Sequence, residues 1–411
     1  MLEGTLNFLS KKTGTDLKYF LKNGRWFIFG AIISLLGNFF SSVAFANLLP
    51  ADIYGQYKFI FSVAGVLGAL SLTGSAAVIT RSVANGFDGT FIKQVGLQLK
   101  TSIISVMVGA GVGIYYLFQD NTVLGYGIII VSIGSPLLRT TTLYNSFLTG
   151  KEKFSTIPLF QIFHVSIPIV SLVTTLFLTD NIIYILGVYF LSNIVVHSFF
   201  TFITNRYYTE NNKIDDDSLK YSIHLSVQGI ISPIANHTDK ILIFQLLGPA
   251  ELALYTVATS LPLQFGIAQK GLNMIMLPKL SKQKLNLIQS GAKAKTLLLF
   301  LTGLVMFVAY YLIAPYLFKI FFPAYVHGVF ISQLFALSFL LLPTMFYNLT
   351  LYGHQMTKEL YVAKILVPIT KIFNVILIGS MYGLYGVVGA ILLTQFFELL
   401  LLSYLVHRKK S

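Results

Sequence analysis

The stretch PIANHTDKILIFQLLGP, residues 233–249, places Asn236, His237, Asp239 and Lys240 inside an otherwise apolar run. On a helix Asn236, Asp239 and Lys240 are spaced i, i+3, i+4 and share a face, and His237 and Lys240 lie three apart. An ammonium beside an amide suits an anionic, hydroxyl-rich ligand, whereas a carboxylate beside an imidazole suits a proton or a small cation. Two readings stand for Asp239 and Lys240. They form an ion pair that holds this helix against its neighbours, or they line a wall where Lys240 meets phosphate or sugar and Asp239 takes an ion. His237 is either a packing residue or a proton relay, and His224 raises the same question. Pro233 would loosen the helix just before the cluster.

Lys100, Arg139, Lys270 and Lys371 are further cations within apolar runs, with Glu398 as the other acid. Charge in hydrocarbon is costly, so each such group is expected to be functional or paired. Lys100 can snorkel to an interface, and Lys371 can pair with Glu398. Arg139 can bond backbone carbonyls or a substrate. Lys270 is the better candidate for a cavity wall. Arg81 and Lys279 occupy equivalent helix ends, with Arg25 at the start of the first run. These three are either phosphate ligands or ordinary basic anchors. Arg offers phosphate a two-pronged donor and Lys a point charge, so the excess of bases favours an anionic cargo.

The elements that must position these groups are membrane helices. The 411 residues are 55% hydrophobic and 11% charged, with a mean hydropathy of +0.74. Apolar runs of about 20 residues recur along the chain, each able to cross a bilayer core of roughly 30 Å. We expect an all-α polytopic membrane protein with about 12 spans. They fall at 25–49, 54–83, 92–118, 122–149, 155–178, 182–205, 219–247, 252–280, 292–315, 325–352, 359–381 and 384–407. There is no cysteine, which excludes disulfides and thiolate metal sites. No metal cluster, nucleophile triad, phosphate-cradling glycine loop or ATPase motif is present, so an enzyme is not expected and no cofactor is implied. Energy would come from a proton or sodium gradient, or from the substrate gradient itself.

The net charge of +14 follows loops rather than one basic domain, which argues for orientation rather than nucleic acid. Basic residues gather in the N-terminal segment, at Arg81 and Lys93, in GKEK (150–153), in the 206–220 linker, in 278–295, in 354–359 and in the tail. The alternate turns carry only Lys58 and Lys319 as bases. The positive-inside rule places both termini in the cytoplasm. The expected organisation is a cytoplasmic amphipathic segment at 1–24, a first lobe at 25–205, a linker at 206–218, a second lobe at 219–407 and a tail at 408–411.

The halves repeat. LKNGRWFIFGAIISLLGNFFSSVAFANLL (21–49) aligns without gaps on LKYSIHLSVQGIISPIANHTDKILIFQLL (219–247), matching Lys22 with Lys220, Ser34 with Ser232 and Asn38 with Asn236. PADIYGQY (50–57) then matches PAELALY (249–255). Both copies begin on the same side, which implies a repeat about an axis along the membrane normal, with a substrate site between the copies.

LLPADIYGQYKFIFSVAGVLGALSLTGSAAVITRSVA (48–84), DKILIFQLLGPAELALYTVA (239–258) and FLTGKEKF (147–154) resemble the signatures of polysaccharide flippases. The chain is similar over nearly all of 20–407 to the Wzx-type lipid-linked oligosaccharide flippases of the MOP superfamily, relatives of the multidrug-and-toxin extruders and the peptidoglycan-precursor flippases. The resemblance implies a V-shaped, MATE-like pair of pseudo-symmetric six-helix lobes around a central cavity. It implies transport of an undecaprenyl-diphosphate-linked glycan across a bacterial cytoplasmic membrane by alternating access, in a chain that acts as a monomer beside the polymerase and glycosyltransferases of its pathway. In that cavity Arg25, Asn38, Arg81, Arg139, Asn236, Lys240, Lys270 and Lys279 would meet pyrophosphate or glycan, and Asp239 with His237 would couple an ion. The rivals are a cation-coupled multidrug exporter, whose cavity is usually acidic, and a membrane glycan polymerase or ligase, which needs large outer loops absent here.

Overall fold

The computed structural model describes residues 17–408, and the side chains within them other than those of 17–25, 27, 28, 31, 228, 265–275, 278, 279 and 282. The described residues are all-helical apart from turns, and helices cover most of each expected span, with interruptions inside some of them. Eight helices among the described residues are long and apolar enough to cross a membrane, and Ile32–Leu48 is a shorter apolar stretch. By contacts the described residues form two compact units, 29–253 and 254–408 with 17–28. The larger unit therefore takes in residues 206–218 and the 231–247 helix.

α1 (Leu17–Leu48), which belongs to the larger unit from residue 29 on, turns at Pro50 into α2 (Ala51–Leu67). The sequence predicts one span over 54–83, but the helix breaks. A 3-10 turn covers Gly68–Leu70, Ser71 is extended, and α3 (Ser75–Ala84) restarts. The Ser71 hydroxyl donates to the Gly68 carbonyl at 2.7 Å and competes with the helical pattern. The groups freed by the break are satisfied from outside. Ser105 donates to the Leu67 carbonyl at 2.9 Å, and the Gly74 N–H donates to Ser226 Oγ at 2.9 Å. Next come α4 (Thr90–Phe118), α5 (Thr122–Thr141), α6 (Tyr144–Gly150), α7 (Thr156–Leu178) and α8 (Ile182–Tyr208).

The span over 219–247 is also broken, into α9 (Ser218–Gly229) and α10 (Ile231–Leu247). Pro233 explains the position. Its ring lacks an N–H and clashes with the carbonyl four residues back, that of Gly229, where α9 stops. The residues before α9 are bound to the unit rather than loose. Glu210 N–H donates to Asp88 Oδ2 at 2.9 Å, Asp215 N–H to Thr90 Oγ1 at 2.9 Å, and Ser82 Oγ to Asp215 Oδ2 at 2.7 Å. A core of Ile79, Val83, Phe91, Tyr144, Phe147, Leu148 and Phe200 lies behind this face.

α11 (Pro249–Lys282) leads into the second unit, which holds α12 (Leu285–Phe321), α13 (Val329–Phe335), α14 (Pro343–Gly353) and α15 (Thr357–Arg408). At 1.5 Å per residue, α15 would stretch about 78 Å, more than twice a bilayer core. Gly383, at φ 58° and ψ −138°, folds it back. Asn374 Nδ2 then reaches Thr394 Oγ1 at 3.2 Å across the hairpin. The core here is built from Ile288, Ala292, Phe346, Leu351, Met356, Leu402 and Val406.

Candidate membrane-embedded charge cluster

α2 is the most buried of the candidate spans and receives α10 in antiparallel register. The Gly55 position meets the Pro249 carbonyl, Phe59 stacks on Phe244 at 3.9 Å between centroids, and Gly65 lies under the His237 ring. The glycines are needed because a Cβ at 55 or 65 would overlap those partners. One helical turn on, Gly68 admits the Arg139 guanidinium of α5, whose Nη2 would stand 2.5 Å from a Cβ at that position. Two of the expected site residues, His237 and Arg139, thus converge on neighbouring turns of one helix.

Asp239 is buried, at 5% exposure, and Lys240 is half-buried. Lys240 shares its electrostatic surroundings with Asp239 and with Lys58. The sequence predicts Lys58 as a base of the turn PADIYGQYK. The structure places it a full two turns inside α2, with its ammonium 5.8 Å from the Phe45 ring, 5.2 Å from Tyr54 and 5.8 Å from Tyr57. Desolvated cations over aromatic faces gain up to about 2 kcal/mol. The signal available in the sequence was the run Tyr54, Tyr57, Lys58, with spacings of three and four residues.

Asn236 and Asn38 are exposed, on α10 and α1. α1 packs on α7, where Gln161 Nε2 donates to the Gly30 carbonyl at 2.8 Å and to Ser34, while α10 packs on α2. Arg81 is exposed and lies over the Tyr221 ring of α9 at 4.9 Å. The side chains of Arg25, Lys270 and Lys279 lie outside the described residues.

The second unit holds its own polar recess. A cavity of about 370 Å³ is lined by Glu398, Gln395, Asn348, Thr344 and Tyr352 among apolar side chains. Gln395 Oε1 and Thr344 Oγ1 are buried there without hydrogen-bond partners among the described residues.

Apolar spans with ionisable groups seated on α2 give the fold of a multi-pass membrane protein. That fold is shared with an inward-facing multidrug resistance MATE family transporter of the MOP superfamily, at TM-score 0.70 and 13% identity, covering 91% of this chain and 93% of that one. It is shared too with the lipid II flippase MurJ in an inward closed conformation, at TM-score 0.61 and 17% identity, covering 92% and 86%. Residues 20–282 match the polysaccharide biosynthesis protein family, and the chain belongs to it. A putative O-antigen transporter of Shigella flexneri is 22% identical over 288 residues, covering 64% of this chain and 67% of that protein.

Proposed function

We propose that the protein is a flippase that carries an undecaprenyl-diphosphate-linked oligosaccharide from the cytoplasmic to the outer leaflet of a bacterial cytoplasmic membrane, with both termini in the cytoplasm. The observation that carries this reading is the set of cations seated along α2: Lys58 and Lys240 beside Asp239, and Arg139 against Gly68. A diphosphate brings at least two negative charges into a region where unpaired charge is costly, and basic side chains offset that cost. The lipid tail can stay in the bilayer while the polar headgroup and sugars pass. Membership of the polysaccharide biosynthesis family and the O-antigen transporter relative support the same class of cargo. Movement is by alternating access, and Asp239 or Glu398 would take the coupling ion if transport is coupled.

A second reading, cation-coupled export of an organic cation, is favoured by one observation. The Glu398 recess joins a carboxylate to apolar walls, which suits a lipophilic cation. Complementation of a strain lacking its own glycan flippase separates the two. The flippase reading expects surface glycan to return with the wild-type chain, and to be lost with Lys240→Ala and with Asp239→Asn while both proteins reach the membrane. Full activity in both variants would sink the site assignment. Drug efflux without glycan display would favour the exporter.

A further inference from the structure

Three side chains outside the α2 cluster meet elsewhere in the larger unit. Tyr144, at the start of α6, is fully buried. Its hydroxyl lies 3.2 Å from Nδ1 of His164 on α7 and 3.3 Å from Nδ1 of His197 on α8. The two imidazole centroids are 4.7 Å apart. His197 is buried and His164 is half-buried, so the triad has an inner and an outer end.

A phenol has one proton to donate. It can therefore donate to only one of the two Nδ1 atoms. The second hydrogen bond forms only when the other ring carries its proton on Nδ1 and donates it to the phenol oxygen. The two histidines must hold opposite tautomers, and the hydroxyl links them. A lone histidine packed in a core imposes no such condition.

The surroundings are apolar. Ile79 and Val83 of α3, Phe91 of α4, Phe160 of α7, and Val196 and Phe200 of α8 pack here, with Tyr208 as the other titratable group of the cluster. The charged groups of the same elements are engaged or placed elsewhere. Arg81 lies over Tyr221, Lys151 is bound to Asp88 and Glu210, and Lys100 and Arg206 are exposed. Lys93 is half-buried in the first turn of α4, and Glu152 and Lys153 sit in the turn after α6. Asn145 also interacts with the phenol, and its Oδ1 is buried without a hydrogen-bond partner among the described residues.

The geometry points to a proton-binding relay in which His164, Tyr144 and His197 take up one proton and carry it from the half-buried ring to the buried one. In the neutral site His164 donates Nδ1–H to the phenol oxygen, and the phenol donates to His197 Nδ1. A proton arriving from water binds the His164 Nε2 lone pair. The His164 Nδ1–H bond then breaks as its proton moves to Tyr144 Oη, and the Tyr144 O–H proton moves to His197 Nδ1. His164 ends neutral with its proton on Nε2, and His197 ends as the imidazolium. One proton has entered, and the charge has moved one ring inward. An imidazolium in apolar surroundings is costly, so occupancy rises when the packing of α6, α7 and α8 admits water. Protonation is thereby tied to the arrangement of these helices. This site does not depend on what cargo the protein carries.

The test is ¹⁵N-histidine NMR of the full chain in lipid nanodiscs, with His164→Gln and His197→Gln assigning the pair among the seven histidines. The expected wild-type result is one δ and one ε tautomer, and uptake of a single shared proton as pH falls from about 8 to about 4. Tyr144→Phe keeps the ring and removes only the link. It is expected to release the tautomer restriction and let the rings titrate separately, with midpoints moved by on the order of one pH unit. Identical tautomers in the wild type, no proton uptake across the range, or spectra unchanged in Tyr144→Phe would each overturn the relay. So would signals that change on adding EDTA, which would mark a metal site instead. Should the phenylalanine variant not fold, the wild-type tautomers and titration decide the matter alone.

Discussion

Gly65 of α2 lies so close beneath the His237 ring of α10 that a methyl group at position 65 would overlap the imidazole. The contact fixes the register of the two helices and so the depth at which Asp239 and Lys240 sit. Close packing of this kind depends on a missing side chain, because an added carbon has nowhere to go.

Gly65→Ala is therefore expected to destabilise the protein by about 1–3 kcal/mol, the usual cost of overpacking. Combining it with His237→Ala removes the obstructing ring and should recover most of the loss. Thermal melting in detergent reads both. A single variant as stable as the wild type, or a double variant no better than Gly65→Ala, would show that the ring does not press on this glycine.

Lys58 gives a prediction in which stability and activity move apart. Its ammonium sits among Phe45, Tyr54 and Tyr57, and replacing a desolvated charge by an apolar chain of similar length is often neutral or stabilising. Lys58→Met should melt at or above the wild-type temperature yet lose surface glycan in the complementation assay. If glycan display is unchanged, Lys58 serves packing alone.

The sequence made the membrane class, the helical segments and the family resemblance readable, because long apolar runs and the turns between them are local signals. The interruptions were only partly readable. Pro233 announced a bend, since a proline cannot complete the helical pattern, and α9 stops at Gly229, four residues before it. The break after Gly68 carried no proline. It depends on Ser105 and Ser226, which satisfy the freed groups from distant parts of the chain. Lys58 was misplaced because two turns of helix precede it that composition alone reads as an outer turn. Tyr144, His164 and His197 come from three separate helices, and no spacing along the chain could have joined them. Arg139 stood out as a charge in an apolar run, but its seat on Gly68 became visible only once α2 and α5 were packed.

Gly383 carries the reversal of α15 at φ 58° and ψ −138°, a backbone region that side chains rarely enter. Gly383→Ala should cost on the order of 1–3 kcal/mol. The loss should fall on the 357–408 hairpin, read as faster amide exchange there than in α4 or α5. Uniform exchange, equal to the wild type, would show that an alanine is accommodated without strain.

The last prediction concerns the strap between α8 and α9. Asp88 is fully buried, and its Oδ2 accepts from the Glu210 N–H at 2.9 Å and from Lys151 Nζ at 2.8 Å. Lys151 also reaches Glu210 at 3.0 Å, but that carboxylate is 75% exposed. Removing the buried partner should matter far more than removing the exposed one. Asp88→Asn is expected to cost about 3 kcal/mol, whereas Glu210→Gln should cost at most about 1 kcal/mol. Alkaline titration gives an independent check. Partial burial pulls the Lys151 ammonium down, but hydrogen bonds and charge from Asp88 and Glu210 outweigh it and hold the group above its ordinary 10.5. A group raised in the folded state contributes its full stability below its unfolded value and loses it as pH rises through the raised one. The wild type should therefore lose stability above about pH 10.5 by more than Lys151→Met does. Melting curves across that range, wild type against Lys151→Met, would show parallel lines if the lysine contributes nothing to holding the strap.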